Sequence, residues 1–138
     1  MHTIAMAHKV LFVCVGNSSR SQMAEGFAKK LGISCASAGT MPARELSRSA
    51  VAVMHEKGID ISQQRPKQIE ISRLGEFERL ISMGHGVKES STGLVFQDDW
   101  GLDDPVNHPL DVFRQTRDEI ERRVQALARE IWEWSNPP

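Results

Sequence analysis

A cysteine and an arginine, Cys14 and Arg20, enclose a short polar segment that reads Cys-Val-Gly-Asn-Ser-Ser-Arg. Its glycine and small polar residues allow the backbone to curl and to point successive N–H groups inward at an anion. N–H donors and a guanidinium favour the thiolate, which is the nucleophilic form of cysteine. We therefore predict that Cys14 is a nucleophile and that Arg20 grips two oxygens of a tetrahedral oxyanion.

The same loop is predicted to bind phosphate. Ser21 is placed to donate a hydroxyl hydrogen bond to the Cys14 sulfur, and Asn17 tolerates a positive φ. For Ser18 and Ser19, simple roles as helix-cap and turn residues are as good an interpretation as a direct ligand role. The predicted phosphate-binding residues are Val15, Gly16, Asn17, Ser18, Ser19, Arg20 and Ser21.

A thiolate that attacks a phosphate monoester needs a proton donor for the departing oxygen. Four acids occur in the seven residues from Asp98 to Asp104, and Asp104 stands out because Pro105 restrains its backbone. A solvated acidic turn remains the competing interpretation of this segment. Trp100, inside it, is a candidate wall of the pocket, and His108 is a more distant candidate.

Alternating strand and helix patterns surround these residues. The apolar run from Lys9 to Cys14 is typical of a buried parallel strand, and a helix follows that ends near Gly32. Alternation of this kind predicts an α/β fold with a parallel sheet, whose ligands lie at the carboxyl ends of the strands. Further strands are predicted at 33–38, 79–83 and 94–97, and further helices at 46–54, weakly at 69–74, and along a stripe from Phe113 to Trp134.

Size and composition exclude several classes of protein. The chain has 138 residues, 40% hydrophobic, which fits one globular domain over 1–138 and excludes predominant disorder. Its longest apolar run, Val10 to Val15, is too short to cross a bilayer. Residues 1–8 lack the features of a signal peptide, so we expect a cytoplasmic protein.

The net charge and the histidine and cysteine residues limit which ligands and cofactors the protein is expected to bind. A net charge of −1 without a basic stripe argues against nucleic-acid binding. Residues 1–69 carry nine basic and four acidic groups, which is consistent with binding of a small anion. The five histidines show no metal-ligand spacing, so no metal or cofactor is expected. Of the two cysteines, Cys35 lies in an apolar stretch and is expected to be a buried, inert side chain.

The segment from Val10 to Gly26 resembles the signature of the low-molecular-weight protein tyrosine phosphatase family, and more closely its thioredoxin-coupled arsenate reductase branch. Ser37-Ala-Gly-Thr40, Asp103-Asp-Pro-Val106 and Val112 to Ile120 are similar to later motifs of that branch, in the same order. The resemblance implies a flavodoxin-like three-layer fold with a four-stranded parallel sheet flanked by helices. It also implies Cys14 as nucleophile, Arg20 as oxyanion clamp, Ser21 as thiolate partner and Asp104 as general acid and then base.

The departures from the family pattern bear on function. Reductases of this branch relay a disulfide through two further cysteines after the third strand, whereas the matching stretch 84–91 contains none. Position 19, a cysteine in some relatives, is a serine. Phosphatases of the family often carry aromatic residues after the Asp-Pro pair to hold a phosphotyrosine ring, but Val106, Asn107 and His108 follow here.

Three functions are consistent with these residues. The first is a phosphatase that hydrolyses phosphate monoesters through a phosphocysteine, with protein phosphotyrosine one such substrate. The second is an arsenate reductase in which an external thiol or redoxin completes the reduction. The third is an oxyanion-binding regulatory module without turnover.

Overall fold

The computed structural model describes residues 9–90 and 93–138, so the signal-peptide argument on Met1 to His8 concerns residues outside the described part. Its four strands are β1 (Val10–Cys14), β2 (Cys35–Gly39), β3 (Arg79–Gly84) and β4 (Asp98–Leu102). They form one parallel sheet in the order β2-β1-β3-β4, which confirms the predicted fold class. The central strand β1 is buried along its whole length.

The two faces of the sheet are covered differently. Three helices pack on the face that carries Phe12 and Cys14, and these are α1 (Arg20–Lys30), α2 (Arg48–His55) and α4 (Leu110–Ser135). The opposite face, with Leu11 and Val13, is covered by a short 3₁₀ helix (Ile71–Glu76), the one-turn helix α3 (Val87–Ser90) and nearby loops. We call the side with Phe12 and Cys14 the thick face, because three helices cover it, and the side with Leu11 and Val13 the thin face.

The fourth strand is not where the sequence pattern places it. The prediction of 94–97 is wrong, since the strand that pairs with β3 is Asp98–Leu102. As an edge strand, β4 needs only one buried side chain, and Trp100 supplies it by packing against Phe12 with ring centroids 5.7 Å apart. The apolar run at 94–97 instead covers the thin face, where Leu94 and Phe96 pack and Val95 is exposed.

The predictions for Trp100 and Trp134 change with this geometry. Trp100 lies in the core and not in the wall of a pocket, and its indole N–H donates to Asp98. Trp134, at the end of the predicted stripe, is 72% exposed, and Trp132 is 61% exposed. Helix α4 has 26 residues and is about 39 Å long, more than twice the length of a five-residue strand, so its last turns extend past the sheet.

The predicted end of the first helix near Gly32 is confirmed, since Gly32 has a positive φ just after α1, and Gly58 has a positive φ after α2. The weak helix predicted at 69–74 is a 3₁₀ helix that begins later, at Ile71, because Gln68 first extends the sheet through a bridge to Gly39. Within the described ranges, no helix is long and apolar enough to cross a membrane. The carboxyl ends of β1, β3 and β4 meet at one edge, where Cys14 lies.

Candidate active site

The connection from β1 to α1 is a curved loop in which the peptide carbonyls point outward. The carbonyls of Cys14, Val15 and Gly16 point outward and accept hydrogen bonds from the backbone N–H groups of residues 40, 41 and 43, at 3.1, 2.9 and 2.8 Å. Because C=O and N–H point in opposite directions in a trans peptide, the N–H groups that follow turn inward. Asn17 closes the curve at φ +50°. The loop is therefore a set of inward donors, as an anion nest requires.

The Cys14 sulfur lies at the bottom of this loop, 2% exposed. It accepts a hydrogen bond from the backbone N–H of Asn17 at 3.1 Å and lies 2.8 Å from the hydroxyl oxygen of Ser21. Asn17 also donates from Nδ2 to that hydroxyl oxygen at 2.7 Å. Since the Ser21 oxygen already accepts from Asn17, its own hydrogen is free to be donated to sulfur. Both contacts stabilise a thiolate.

The side-chain amide of Asn17 has a fixed orientation. Its Oδ1 accepts from the backbone N–H of Lys67 at 2.9 Å, and a backbone N–H can only donate. Its Nδ2 must therefore be the donor, to Ser21 and also to the hydroxyl of Ser37 at 3.0 Å. Ser37 in turn donates to the buried carboxylate of Glu25 at 2.5 Å. A chain of buried hydrogen bonds thus runs from Glu25 to the thiol.

Sequence reasoning assigned no role to Gln22, Glu25 or Lys67, although Gln22 and Glu25 lie in the quoted signature. Gln22 donates from Nε2 to the backbone oxygen of Asn17 at 2.9 Å and so supports the loop from inside α1. Both residues are polar, and the structure buries them on the first turns of α1. The signal that the sequence offered was their position directly after the loop, between the apolar residues of the helix.

Arg20 is 1% exposed and begins α1. Its Nη1 donates to the carbonyl oxygens of His85 and Leu102, at 3.2 and 2.9 Å, which fixes the guanidinium to the carboxyl ends of β3 and β4. Its Nη2 lies 3.8 Å from Oδ2 of Asp104. The arginine is thus fixed beside the loop by two strand ends.

Asp104 lies beside Arg20 on the segment after β4, with its side chain 41% exposed. Its Oδ1 accepts from the backbone N–H of Val106 at 3.0 Å, which makes a tight turn through Pro105. The fold thus brings together Cys14, Arg20 and Asp104, which the sequence separates by up to 90 positions.

Ser19 is the N-cap residue of α1, so its interpretation as a cap holds for its position. Its side chain, however, makes no capping hydrogen bond, and its buried hydroxyl has no partner among the residues that the structure describes. A capping side chain would satisfy N–H donors of the first turn. Without one, those donors remain directed at the loop centre, where an anion can take them.

Cys35 lies far from this site. In the β1–β2 register Cys35 is opposite Val10, while Cys14 is opposite Gly39, so the Cα atoms of the two cysteines are about 13 Å apart along the strand direction. Burial and the nearby Glu25 carboxylate raise the pKa of the Cys35 thiol to about 12. Cys35 is half-buried and not fully buried as expected, and its raised pKa favours the protonated, less reactive thiol.

Comparison with known proteins places these features in a family. Residues 9–135 match the family model described as low molecular weight phosphotyrosine protein phosphatase. A curated relative from Synechocystis sp. named glutaredoxin arsenate reductase is 44% identical over 130 residues, covering 89% of this chain and 98% of the relative.

Two solved structures share the fold. An arsenate reductase in the phosphate binding state superposes with a TM-score of 0.78 at 44% identity, covering 90% of this chain and 98% of its own. A low molecular weight protein tyrosine phosphatase from T. tengcongensis superposes with a TM-score of 0.74 at 30% identity, covering 89% of this chain and 99% of its own.

Proposed function

Because the chain belongs to the low-molecular-weight phosphotyrosine protein phosphatase family, we propose that it hydrolyses phosphate monoesters through a phosphocysteine on Cys14. The family and the named relatives make the protein an enzyme, either a phosphatase of this type or an arsenate reductase, that acts on an oxyanion or phosphate substrate. The observation that carries the first of these is the presence of every group that hydrolysis needs and of one thiol alone at the loop.

In the first step, the Cys14 thiolate attacks phosphorus while the inward N–H groups of residues 15–21 hold the equatorial oxygens. Arg20 is directed at the same oxygens by His85 and Leu102 and adds a charge-assisted grip. The bond from phosphorus to the ester oxygen breaks, and Asp104 gives its proton to that oxygen. In the second step, water attacks the phosphocysteine, Asp104 takes the proton, and the Cys14 thiolate leaves.

Ser21 is assigned to the thiolate as well as to the anion. A thiolate has no hydrogen to donate, so Ser21 is the donor in its 2.8 Å contact with the ionised Cys14 sulfur, while its oxygen accepts from Asn17. That donation stabilises sulfur before the attack and again when sulfur departs from phosphorus. A positioned donor of this kind removes the need for a separate base beside the cysteine.

A second candidate function is arsenate reduction, favoured by the names of the relatives that share 44% identity. In it, the Cys14 thiolate displaces one oxygen of arsenate as water, with the proton from Asp104. An external thiol then attacks the Cys14 sulfur, arsenic leaves with the electron pair as arsenite, and a mixed disulfide forms. A second external thiol releases Cys14 as thiolate and leaves as a disulfide with the first.

Parallel assays distinguish the two candidates. The purified protein is given p-nitrophenyl phosphate in one series and arsenate in the other, with glutathione and glutaredoxin or with thioredoxin alone. We expect ester hydrolysis with an initial burst of p-nitrophenol, and no arsenate reduction with thioredoxin alone. Hydrolysis at the background rate together with glutathione-dependent arsenite formation would replace the first candidate by the second.

Two serine variants serve as the matched pair. Cys14→Ser keeps the shape of the loop but carries a hydroxyl that stays protonated, so turnover should fall at least about 10³-fold while phosphate still binds. Cys35→Ser should keep the wild-type rate in both assays. Loss of arsenate reduction in Cys35→Ser would point to an internal relay and contradict the assignment of Cys14 as the single reacting thiol.

A further inference from the structure

The thin face of the sheet contains a crevice that the chemistry at Cys14 does not use. Its floor is formed by Leu11 of β1 with Ala36 and Ala38 of β2, and its roof by Leu74 and Phe77 around the 3₁₀ helix. The volume of this β1–β2 crevice is about 120 Å³. It exists because alanine stands beside Leu11 and Val13 in the strand register, so the edge strand offers no bulk beneath the roof.

The size and lining of the β1–β2 crevice suit an aromatic ring. An apolar cavity of about 150 Å³ in a protein core stays dry and accepts benzene, and the space here is of the same order. The five side chains named above offer carbon on both faces, as the two walls of a planar ligand require. The interior alone would therefore favour a small, flat, apolar group.

The rim of the crevice carries three cations, each with a carboxylate within 4 Å. Lys9 lies 3.3 Å from the Glu76 carboxylate. Arg73 lies 2.9 Å from Glu76 and 3.9 Å from Glu70, which itself lines the rim. These four side chains form one closed charge cluster at the roof, so they neither demand nor strongly repel an anion.

Lys67, the third cation, shares its carboxylate partner with another lysine. Its ammonium donates to the carbonyl oxygen of Arg65 at 2.8 Å and lies 3.9 Å from the Glu25 carboxylate, which also pairs with Lys29 at 2.5 Å. An ammonium group has three N–H donors. Burial lowers the pKa of Lys67 more than the Glu25 carboxylate raises it, and the Lys29 charge lowers it further. The remaining N–H donors are available to an anion at the end of the crevice.

We infer that the β1–β2 crevice binds a small aromatic monocarboxylate, with its ring between Leu11 and Phe77 and its carboxylate on the Lys67 ammonium. One ring and one short acid group match one apolar slot and one cation whose carboxylate partner is shared with Lys29. A dianion such as phosphate has no apolar part to fill the slot, and a neutral ring leaves Lys67 as it is. The pairing of both features in one ligand is what the geometry selects.

This site is separate from the phosphate loop. Leu11 and Val13 face one side of the sheet, and Phe12 and Cys14 face the other. The connection between the sites is the peptide of Lys67, whose N–H holds the Asn17 amide, so occupants of the two sites are neighbours through one residue but do not compete for space. Excess phosphate should accordingly leave the crevice open.

The test is a titration of the ¹⁵N-labelled protein with phenylacetate, observed by ¹H–¹⁵N correlation spectra in excess inorganic phosphate. We expect saturable shifts at the amides of Leu11, Ala36, Ala38, Leu74 and Phe77. Phenylacetamide, with the same ring and no charge, should bind at least tenfold more weakly. Shifts confined to residues 14–21 would place the carboxylate in the phosphate loop and overturn the inference.

Two variants and one control complete the test. Lys67→Met keeps the aliphatic stem and should weaken phenylacetate at least tenfold, and Ala36→Leu should fill the slot and abolish binding. Lys57→Met removes a lysine that pairs with Glu121 elsewhere and should bind as the wild type does. Equal affinities for phenylacetate and phenylacetamide, or an unchanged affinity in Lys67→Met of native thermal stability, would refute the site. Neither result depends on whether Cys14 turns over a phosphate ester.

Discussion

At the scale of single residues, the thiol of Cys14 has its two hydrogen-bond donors in place before any substrate arrives. Asn17 contributes a backbone N–H, and its side chain directs the hydroxyl of Ser21. Donors that are already oriented need no rearrangement when charge develops, which is the source of most electrostatic catalysis. The rigidity of Asn17, held by Lys67 and Gln22, is therefore part of the chemistry that we propose.

The first prediction concerns the acid at this scale. Asp104→Asn keeps the turn but has no proton to give, so hydrolysis of alkyl phosphates should fall about 10²–10⁴-fold, and that of p-nitrophenyl phosphate less. Inorganic phosphate should bind more tightly to the variant, because a carboxylate 3.8 Å from Arg20 is removed. Steady-state kinetics on both esters with phosphate as inhibitor measure these changes. Asp103→Asn is the adjacent control, and the acid would lie one residue upstream if that variant alone lost the alkyl phosphate rate.

At the scale of elements, the strand-to-helix loop depends on the close approach of β2. A Cβ added to Gly39 would lie 2.6 Å from the carbonyl oxygen of Val15 and 3.2 Å from the backbone nitrogen of Asn17. Both are backbone atoms of the phosphate loop, which cannot move without turning its N–H groups. The glycine in the Ser37-Ala-Gly-Thr40 motif is therefore explained by the loop that packs on it.

The second prediction follows from that contact. Gly39→Ala should lower the free energy of unfolding by about 1–3 kcal/mol, as overpacking does, and should reduce kcat/KM by a larger factor than stability alone explains. Gly75→Ala, where an added Cβ meets nothing within 4 Å, is the control and should change stability by about 0.5 kcal/mol or less. Urea unfolding and ester hydrolysis measure the two effects. A Gly39→Ala protein with normal activity would show that the loop tolerates displacement.

At the scale of the whole molecule, the helices of the thick face are joined by one carboxylate. Glu56, at the end of α2, accepts hydrogen bonds from Arg114 at 2.9 Å and from Arg117 at 2.6 Å, both on α4. Hydrogen bonds from Arg114 and then Arg117 lower the pKa of Glu56 to about 2. A group whose pKa is lower in the folded state stabilises that state when ionised.

The third prediction is the pH dependence of this link. The stabilisation by Glu56 should be fully present above its ordinary pKa of about 4.5 and should disappear as the pH falls towards 2. The melting temperature of Glu56→Gln should thus be lower than that of the wild type at pH 7, and the difference should shrink between pH 5 and pH 3. Glu133→Gln on α4 is the matched control. A difference that stays constant through this range would contradict the assignment.

The fourth prediction is about oxidation. A disulfide needs Cα atoms within about 7 Å, and the sheet register separates Cys14 from Cys35 by about 13 Å. Peroxide should therefore oxidise Cys14 to the sulfenic and then the sulfinic acid, or to a mixed disulfide when small thiols are present. Mass spectrometry of the oxidised, digested protein decides this. A crosslinked peptide that joins Cys14 to Cys35 would revive the internal relay.

Short-range patterns decided much of this protein. The run that ends at Cys14, the polar loop and the helix after it are contiguous, so their chemistry is visible in the sequence, and β1 and α1 lie where predicted. The parallel sheet also follows, since alternating strands and helices have few other arrangements. The two central strands, β1 and β3, have this clarity because they are buried and largely apolar.

Tertiary structure decided the features that depend on a partner. β4 is Asp98–Leu102 because an edge strand is chosen by pairing with β3 and by one buried tryptophan, and not by its own hydrophobicity. Trp134 is exposed because α4 extends past the end of the sheet. A hydrophobic pattern along the helix does not show where the sheet ends. The hydrogen-bond chain from Glu25 through Asn17 to Cys14 arises only when distant segments meet. The same is true of the separation of about 13 Å between the Cα atoms of Cys14 and Cys35. The sequence determines which reactive groups the chain carries and which of them are neighbours along it. The distances between groups and the directions of their hydrogen bonds are determined by the folded structure.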